Sequence, residues 1–167
     1  MDDLYWLFMK QTHQPAAPTL AEMTPEAALR LRESLSTAGL RYTTQRAAVF
    51  AYLEWARCHP TADEIYQAVR DEVPQISLAT VYNALEALVD VNLATRLDGT
   101  NNTARYDSCR EQHYHLRDTE TGEIRDLSTP YDPELLDRLD PKLRKQLESE
   151  GIEVTGYRLE VLGRSRK

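Results

Sequence analysis

The triplet His113-Tyr114-His115 sets two imidazoles two residues apart, the spacing in this chain best suited to holding an ion. On a β-strand alternate residues share a face, so the two rings would lie about 7 Å apart along one side and could grip a single ion. Asp107 lies just upstream. Asp126 lies on the next alternating run, Glu123–Leu127, and the polar stretch Asp118–Glu123, with Gly122, reads as a turn that folds this run back beside the histidines. Imidazole nitrogen with carboxylate oxygen suits a divalent first-row metal such as iron, manganese or zinc. Taken locally, the pattern fits an exposed strand pair with neighbouring carboxylates equally well. The chain has four histidines, His13, His59, His113 and His115, so half of them fall in one triplet. That concentration shifts the balance toward a metal.

The elements that must position these groups follow from punctuation and periodicity. Met1–Met23 reads as an extension, with a proline-bearing linker and an aromatic cluster, Tyr5, Trp6 and Phe8, that could dock on the body or on a second subunit. Thr24-Pro25 is an N-cap with proline at the first helical position, and Gly39 stops that helix, whose apolar stripe is Ala28, Leu31, Leu35 and Ala38. Thr43 or Thr44 caps a second helix, with Ala47, Val49, Phe50 and Leu53 inward, ending near Arg57. Cys58-His59-Pro60 is a break. Thr61 caps a third helix with Ala62, Ile65, Tyr66 and Val69 on one side, and Pro74 breaks the chain again.

Ser77 opens a fourth helix. Leu78, Val81, Leu85, Leu88 and Val89 follow helical spacing and face a core. The opposite face carries Ala79, Thr80, Asn83 and Ala87, with Tyr82 at its margin. A solvated helix surface is usually rich in Glu and Lys, so this small, polar, nearly uncharged face suggests close approach to another molecule. Leu93–Leu97 and Ala104–Tyr106 read as two short strands around Asp98-Gly99 and Thr100–Thr103. Short helices followed by a β-hairpin make a winged helix-turn-helix pattern, whose last helix enters the DNA major groove; a helical domain with a hairpin and no nucleic acid shares the pattern. Downstream, Asp132–Glu150 is expected as one helix carrying Leu135, Leu136, Leu139, Leu143 and Leu147. Gly151 ends it, Ile152–Leu162 is a further alternating segment broken by Gly156, and Gly163–Lys167 is a basic tail.

Composition bounds the function. With 167 residues, 41% hydrophobic and 28% charged, the chain reads as one or two small soluble domains. A net charge of −7 argues mildly against non-specific nucleic-acid affinity without excluding a local groove-binding surface. Two cysteines, Cys58 and Cys109, make no disulfide framework, which fits a reducing, cytoplasmic setting. Leu4–Met9 is too short and wrongly flanked for a membrane span.

Five segments then stand out together: G-L-R-Y-T-T-Q-R at Gly39–Arg46, H-P-T-A-D-E-I-Y at His59–Tyr66, S-L-A-T-V-Y-N-A-L at Ser77–Leu85, R-Y-D at Arg105–Asp107 and H-Y-H-L at His113–Leu116. In order and spacing they resemble the ferric uptake regulator (Fur) family of metal-dependent bacterial repressors, over roughly Thr24 to Gly163. The resemblance implies an α+β chain: an extension (residues 1–23), an N-terminal winged-helix DNA-binding domain with the hinge at its end (24–106), and a small metal-binding α/β dimerisation domain (107–167). It implies a homodimer on palindromic operator DNA and no membrane. The chain is most similar to the peroxide-sensing (PerR) branch, whose regulatory ligand positions hold His59, Asp107, His113, His115 and Asp126 here. Asp126, where iron sensors more often carry glutamate, and Asn83, where they usually carry arginine, point to the same branch. The implied ion is Fe(II) or Mn(II), with Zn(II) possible in vitro, clipping one domain onto the other. Oxidation of a ligand histidine, His113 or His59, would loosen the clip.

The resemblance also points Tyr82 and Asn83 to base edges, Arg41 to the minor groove, and Thr80 and Ser77 to nearby contacts, Ser77 on phosphate. One departure is plain: the family's structural zinc uses two C-x-x-C pairs, and the first would fall at Asp118 and Thr121. A structural zinc held by four cysteines is therefore expected to be absent. Cys58 and Cys109, near the implied ligands, are either redox thiols or small half-buried residues. The readings to separate from a peroxide sensor are an iron- or manganese-responsive regulator indifferent to peroxide, a non-haem iron enzyme, and a metal-independent adaptor.

Overall fold

The structure is a computed structural model and describes residues 20–56, 59–98, 103–108 and 112–164. Tyr5, Trp6 and Phe8, Arg57, Cys58, residues 99–102 of the expected strand connection, Cys109 and the tail beyond Arg164 lie outside the described residues. The chain divides into two compact units, Met1–Glu111 and Gln112–Lys167.

In the first unit, α1 (Pro25–Thr37) starts where Thr24 accepts a hydrogen bond from the Ala27 N–H at 3.2 Å. It stops at Gly39, whose φ of 70° is the left-handed conformation that lets Leu40 N–H turn back to Leu35 O at 2.8 Å. The buried stripe is Ala27, Leu31 and Leu35. Ala38, expected inward, is exposed, because the helix ends at Thr37 and the C-cap leaves helical geometry. Thr43 is the cap of α2 (Thr44–Ala56), its hydroxyl accepting from Arg46 N–H. This helix is buried on nearly every side, Glu54 included, whose carboxylate takes the Arg30 guanidinium at 2.6 Å.

Thr61 and Glu64 form a reciprocal capping box at the start of α3 (Ala62–Val69). Ser77 caps α4 (Leu78–Asp90). Leu31, Leu35, Phe50, Leu53, Ile65, Val81, Leu85 and Leu88 form one core, each large apolar side chain contributing about 1.5–3 kcal/mol by leaving water. On α4, Ala87 is buried rather than on the outer face, and Leu78 and Val89 are half-buried. Ala84 joins the packed core, which widens the buried arc beyond the large residues that mark it in sequence; Ala87 is buried outside that cluster.

Strands β1 (Thr95–Asp98) and β2 (Ala104–Asp107) pair antiparallel, with Leu97 opposite Arg105 and Thr95 opposite Asp107. β1 starts two residues later than its expected Leu93 start: Leu93 and Ala94 are buried in the core instead of in the ladder. Asp107 closes β2 rather than following it.

The second unit is a three-stranded sheet in the order β4-β3-β5, from β3 (Tyr114–Asp118), β4 (Ile124–Leu127) and β5 (Glu160–Gly163). β3 and β4 form the expected hairpin, and β5 runs parallel to β3. Of the alternating segment Ile152–Leu162, only its end enters the sheet. The single helix expected over Asp132–Glu150 is two, α5 (Leu135–Leu139) and α6 (Leu143–Ser149). Pro141 explains the break: it lacks an N–H and drives the residue before it out of helical geometry, and Asp140 has φ −145°, ψ 97°. The two pieces are tied by Arg144 Nε, which donates to Asp137 at 3.0 Å. No residue of either helix is buried.

Candidate metal centre and nucleic-acid face

The β3–β4 register sets the geometry of the second unit's donors. His115 is directly opposite Asp126. His113, just before β3, lies with its Nε2 3.1 Å from Asp126 Oδ1, and His115 Nε2 lies 3.8 Å from the same oxygen. The two imidazoles meet edge to face with centroids 4.5 Å apart. The rings lean together, so the separation is shorter than an ideal strand would give. His115 is buried, His113 half-buried and Asp126 exposed. Two nitrogens and a carboxylate oxygen thus converge on one side, the donor set that suits a divalent first-row ion.

Tyr114, between the histidines, points the other way. Its ring lies 5.6 Å from Tyr131 and 6.4 Å from Tyr157. Its hydroxyl accepts from Asp132 N–H and donates to Tyr157 Oη, both at 2.8 Å, while the Tyr157 hydroxyl donates to Asp132 O. Loss of water contact, then the Tyr114 hydrogen bond, pushes the Tyr157 phenol above its ordinary range. This network fixes β3 from the face away from the imidazoles.

The first unit contributes a second, smaller group. His59 is buried in the loop before α3, and Asp107 is half-buried at the end of β2. A ligand atom of His59 lies within 4.8 Å of one of Asp107. The pair is held by backbone and side chain alike. Tyr106 N–H donates to Pro60 O at 2.9 Å, Thr61 bridges to Arg105, and Arg105 Nη1 donates to His59 O at 2.6 Å. The same Nη1 is 3.4 Å from Glu64 Oε2, which accepts the Thr61 N–H at 2.7 Å. Sequence reading missed Arg105 and Glu64. The T-A-D-E spacing at Thr61–Glu64 was a readable capping-box signal; nothing local marks a contact between residues 46 positions apart.

On α4, Tyr82 and Asn83 are exposed and Thr80 is half-buried. Ser77 Oγ accepts from Thr80 N–H at 3.1 Å and bonds the Thr80 hydroxyl at 2.8 Å, so both hydroxyls shape the first turn of the helix. Arg41 is exposed before α2, its carbonyl accepting from Arg46 Nη1. Cys58 and Cys109 lie outside the described residues.

A winged helix followed by a small α/β unit bearing a histidine–aspartate cluster is the build of a metal-responsive, DNA-binding regulator. The sequence model of the Ferric uptake regulator family matches residues 37–162, more than half of the chain, and the chain belongs to that family. The family's members are transcriptional regulators, not enzymes. The peroxide-responsive repressor PerR of Staphylococcus aureus is 37% identical over 130 residues, 78% of this chain and 83% of that protein. The Campylobacter jejuni peroxide stress regulator is 29% identical, with a TM-score of 0.56 over 87% of this chain and 98% of that one. The Pseudomonas aeruginosa ferric uptake regulator, solved with manganese, is 25% identical, with a TM-score of 0.63 over 81% and 98%. Among the described residues no helix is long and apolar enough to cross a membrane.

Proposed function

We propose that this chain is a peroxide-sensing repressor that acts in the cytoplasm as a homodimer on palindromic operator DNA. The observation that carries the reading is the convergence of His113, His115 and Asp126 on one point, with His59 and Asp107 as a second donor pair. Three donors on one unit and two on the other each leave a first-row ion under-coordinated. Shared, they would make a five-ligand N/O site for Fe(II) or Mn(II), with Zn(II) able to enter in vitro. Residues from both units would then hold one pose, and the population would shift toward it by the ion's differential affinity. In a dimer that pose sets the spacing of the two α4 helices, and half-site spacing is a matter of geometry.

Bound Fe(II), when present, supplies the one-electron chemistry that activates hydrogen peroxide. His113 and His59 are the side chains placed to be oxidised, and loss of either as a ligand releases the operator. Tyr82 and Asn83 meet base edges, Arg41 the minor groove, and Ser77 and Thr80 the adjacent backbone. The 37% identity to the S. aureus repressor supports the peroxide branch. No structural zinc on four cysteines is needed in this reading, since Asp118 and Thr121 occupy the positions of the first pair. Apolar Leu139, Ile152, Val161 and Leu162, all exposed in the single chain, suit a dimer interface.

The test compares operator binding by chelator-treated, Mn(II)-loaded and Fe(II)-loaded protein before and after hydrogen peroxide. Both metals should confer binding, and peroxide should abolish it only with iron, with one oxygen gained on the His113 or His59 peptide. Persistence of binding by the iron form identifies an iron- or manganese-responsive regulator instead. Binding indifferent to chelation removes the metal from the account.

A further inference from the structure

We propose that Arg105 is the positioning residue of the His59–Asp107 pair and that, through Glu64, it couples this pair to the first turn of α3. The inference rests on the metal reading above. His59 lies in a loop between two helices, so its ring direction depends on how the backbone of residues 59–61 is held. Strand β2 holds it by side chain and by backbone: the Arg105 guanidinium on His59 O, and the bridge from Arg105 to Thr61, which includes the Tyr106 N–H on Pro60 O. Asp107 follows two residues beyond Arg105 on the same strand. One strand therefore carries a ligand at its end and grips the backbone of the other ligand just before it.

The grip extends into the helix. Arg105 Nη1 sits between two acceptors, His59 O at 2.6 Å and Glu64 Oε2 at 3.4 Å. Glu64 in turn accepts Thr61 N–H as half of the capping box that starts α3. The Arg105 side chain is 26% exposed and the Glu64 side chain 53%, so water screens this charge pair, and the shorter bond to His59 O is the firmer hold. Ile65 and Val69 of α3 pack in one core with Val81, Leu85 and Leu88 of α4. A displacement at His59 thus has a continuous path of bonded and packed groups to the helix with the exposed Tyr82–Asn83 face. Arg105 itself donates no ligand atom and acts through the carbonyl of one ligand and the strand of the other.

Outer groups that orient metal ligands typically contribute 10–100-fold in metal affinity. Mn(II) affinity is measured by competition with a chromophoric chelator on the full chain: wild type, Arg105→Ala, Arg105→Lys and Glu64→Gln. Arg105→Ala should bind Mn(II) about 10–100-fold more weakly, Arg105→Lys less so, and Glu64→Gln least. In metal-free protein with labelled histidine, the His59 NMR resonance should shift or broaden in Arg105→Ala while those of His113 and His115 stay put. A general loss of structure would move all three. If the alanine variant does not fold, the lysine and Glu64→Gln variants carry the same ordering. Wild-type affinity in Arg105→Ala, or an unmoved His59 resonance, overturns the proposal. Should wild type bind no Mn(II), the metal reading falls, and the metal-free resonances still decide whether Arg105 positions His59.

Discussion

His113 and Asp126 meet at 3.1 Å, and single side chains decide what the cluster can do. His113→Ala removes one nitrogen of the trio and should weaken Mn(II) binding by more than about 100-fold, beyond the range for outer groups, measured by the same competition. Tyr106 offers a second check, on stability. It is buried beside the His59 loop, and burial first of all pushes its phenol above the usual value of 10. A raised folded-state value favours the neutral form, so the contribution is complete below the ordinary tyrosine range and is lost as pH rises through the folded value. Wild type should therefore lose melting temperature above pH 10 more steeply than Tyr106→Phe. The clustering of His113 and His115 with Asp126 was legible at this scale because H-x-H spacing implies a shared face; the Arg105 contact was not, because it exists only after distant segments meet.

Elements show what sequence punctuation can and cannot settle. Thr24, Thr61 and Ser77 were readable caps because a short polar side chain before an apolar period has one good use. The break at Pro141 was also written in the chain, yet the leucine period Leu135–Leu147 ran across it and outweighed it. Replacing Pro141 with Ala should lengthen α5 into α6 and raise helix content by circular dichroism. The β3–β4 turn carries its own bonding: Asp118 Oδ1 accepts from Glu120 and Thr121 N–H at 2.8 and 2.9 Å, and Thr119 N–H donates to Gly163 O at 2.8 Å. This occupies the place where the family resemblance implies a cysteine pair. Asp118→Ala should lower unfolding free energy by about 1–3 kcal/mol in a denaturant titration. On α4, Asn83→Ala should reduce discrimination at one operator base pair by about 1–3 kcal/mol, read from a panel of operator variants.

At the scale of the whole molecule the expectation concerns assembly and response. Chelator-treated protein should sediment as a dimer while losing operator affinity, because the apolar side chains exposed on unit two, and not an ion, are proposed to hold the copies together. Dissociation on chelation, reversed by zinc alone, would show a structural metal instead. The alternating runs after Leu93 do not mark the division, since β1 and β2 belong to the first unit, which runs to Glu111 and includes Asp107; the expected boundary at 106/107 came from the family resemblance. The proposed sharing of an ion by His59 and His115, 56 positions apart, came from the family resemblance and not from any local pattern.

The facing of His115 and Asp126 across a hairpin has one more consequence. Strand side chains alternate, so a slip of one position would put Arg125 or Leu127 where the oxygen donor stands. A cation or a hydrocarbon there cannot bind a metal. One codon gained or lost between Thr119 and Glu123 that shifted this register would therefore part the donors while leaving His113, His115 and Asp126 all in the gene.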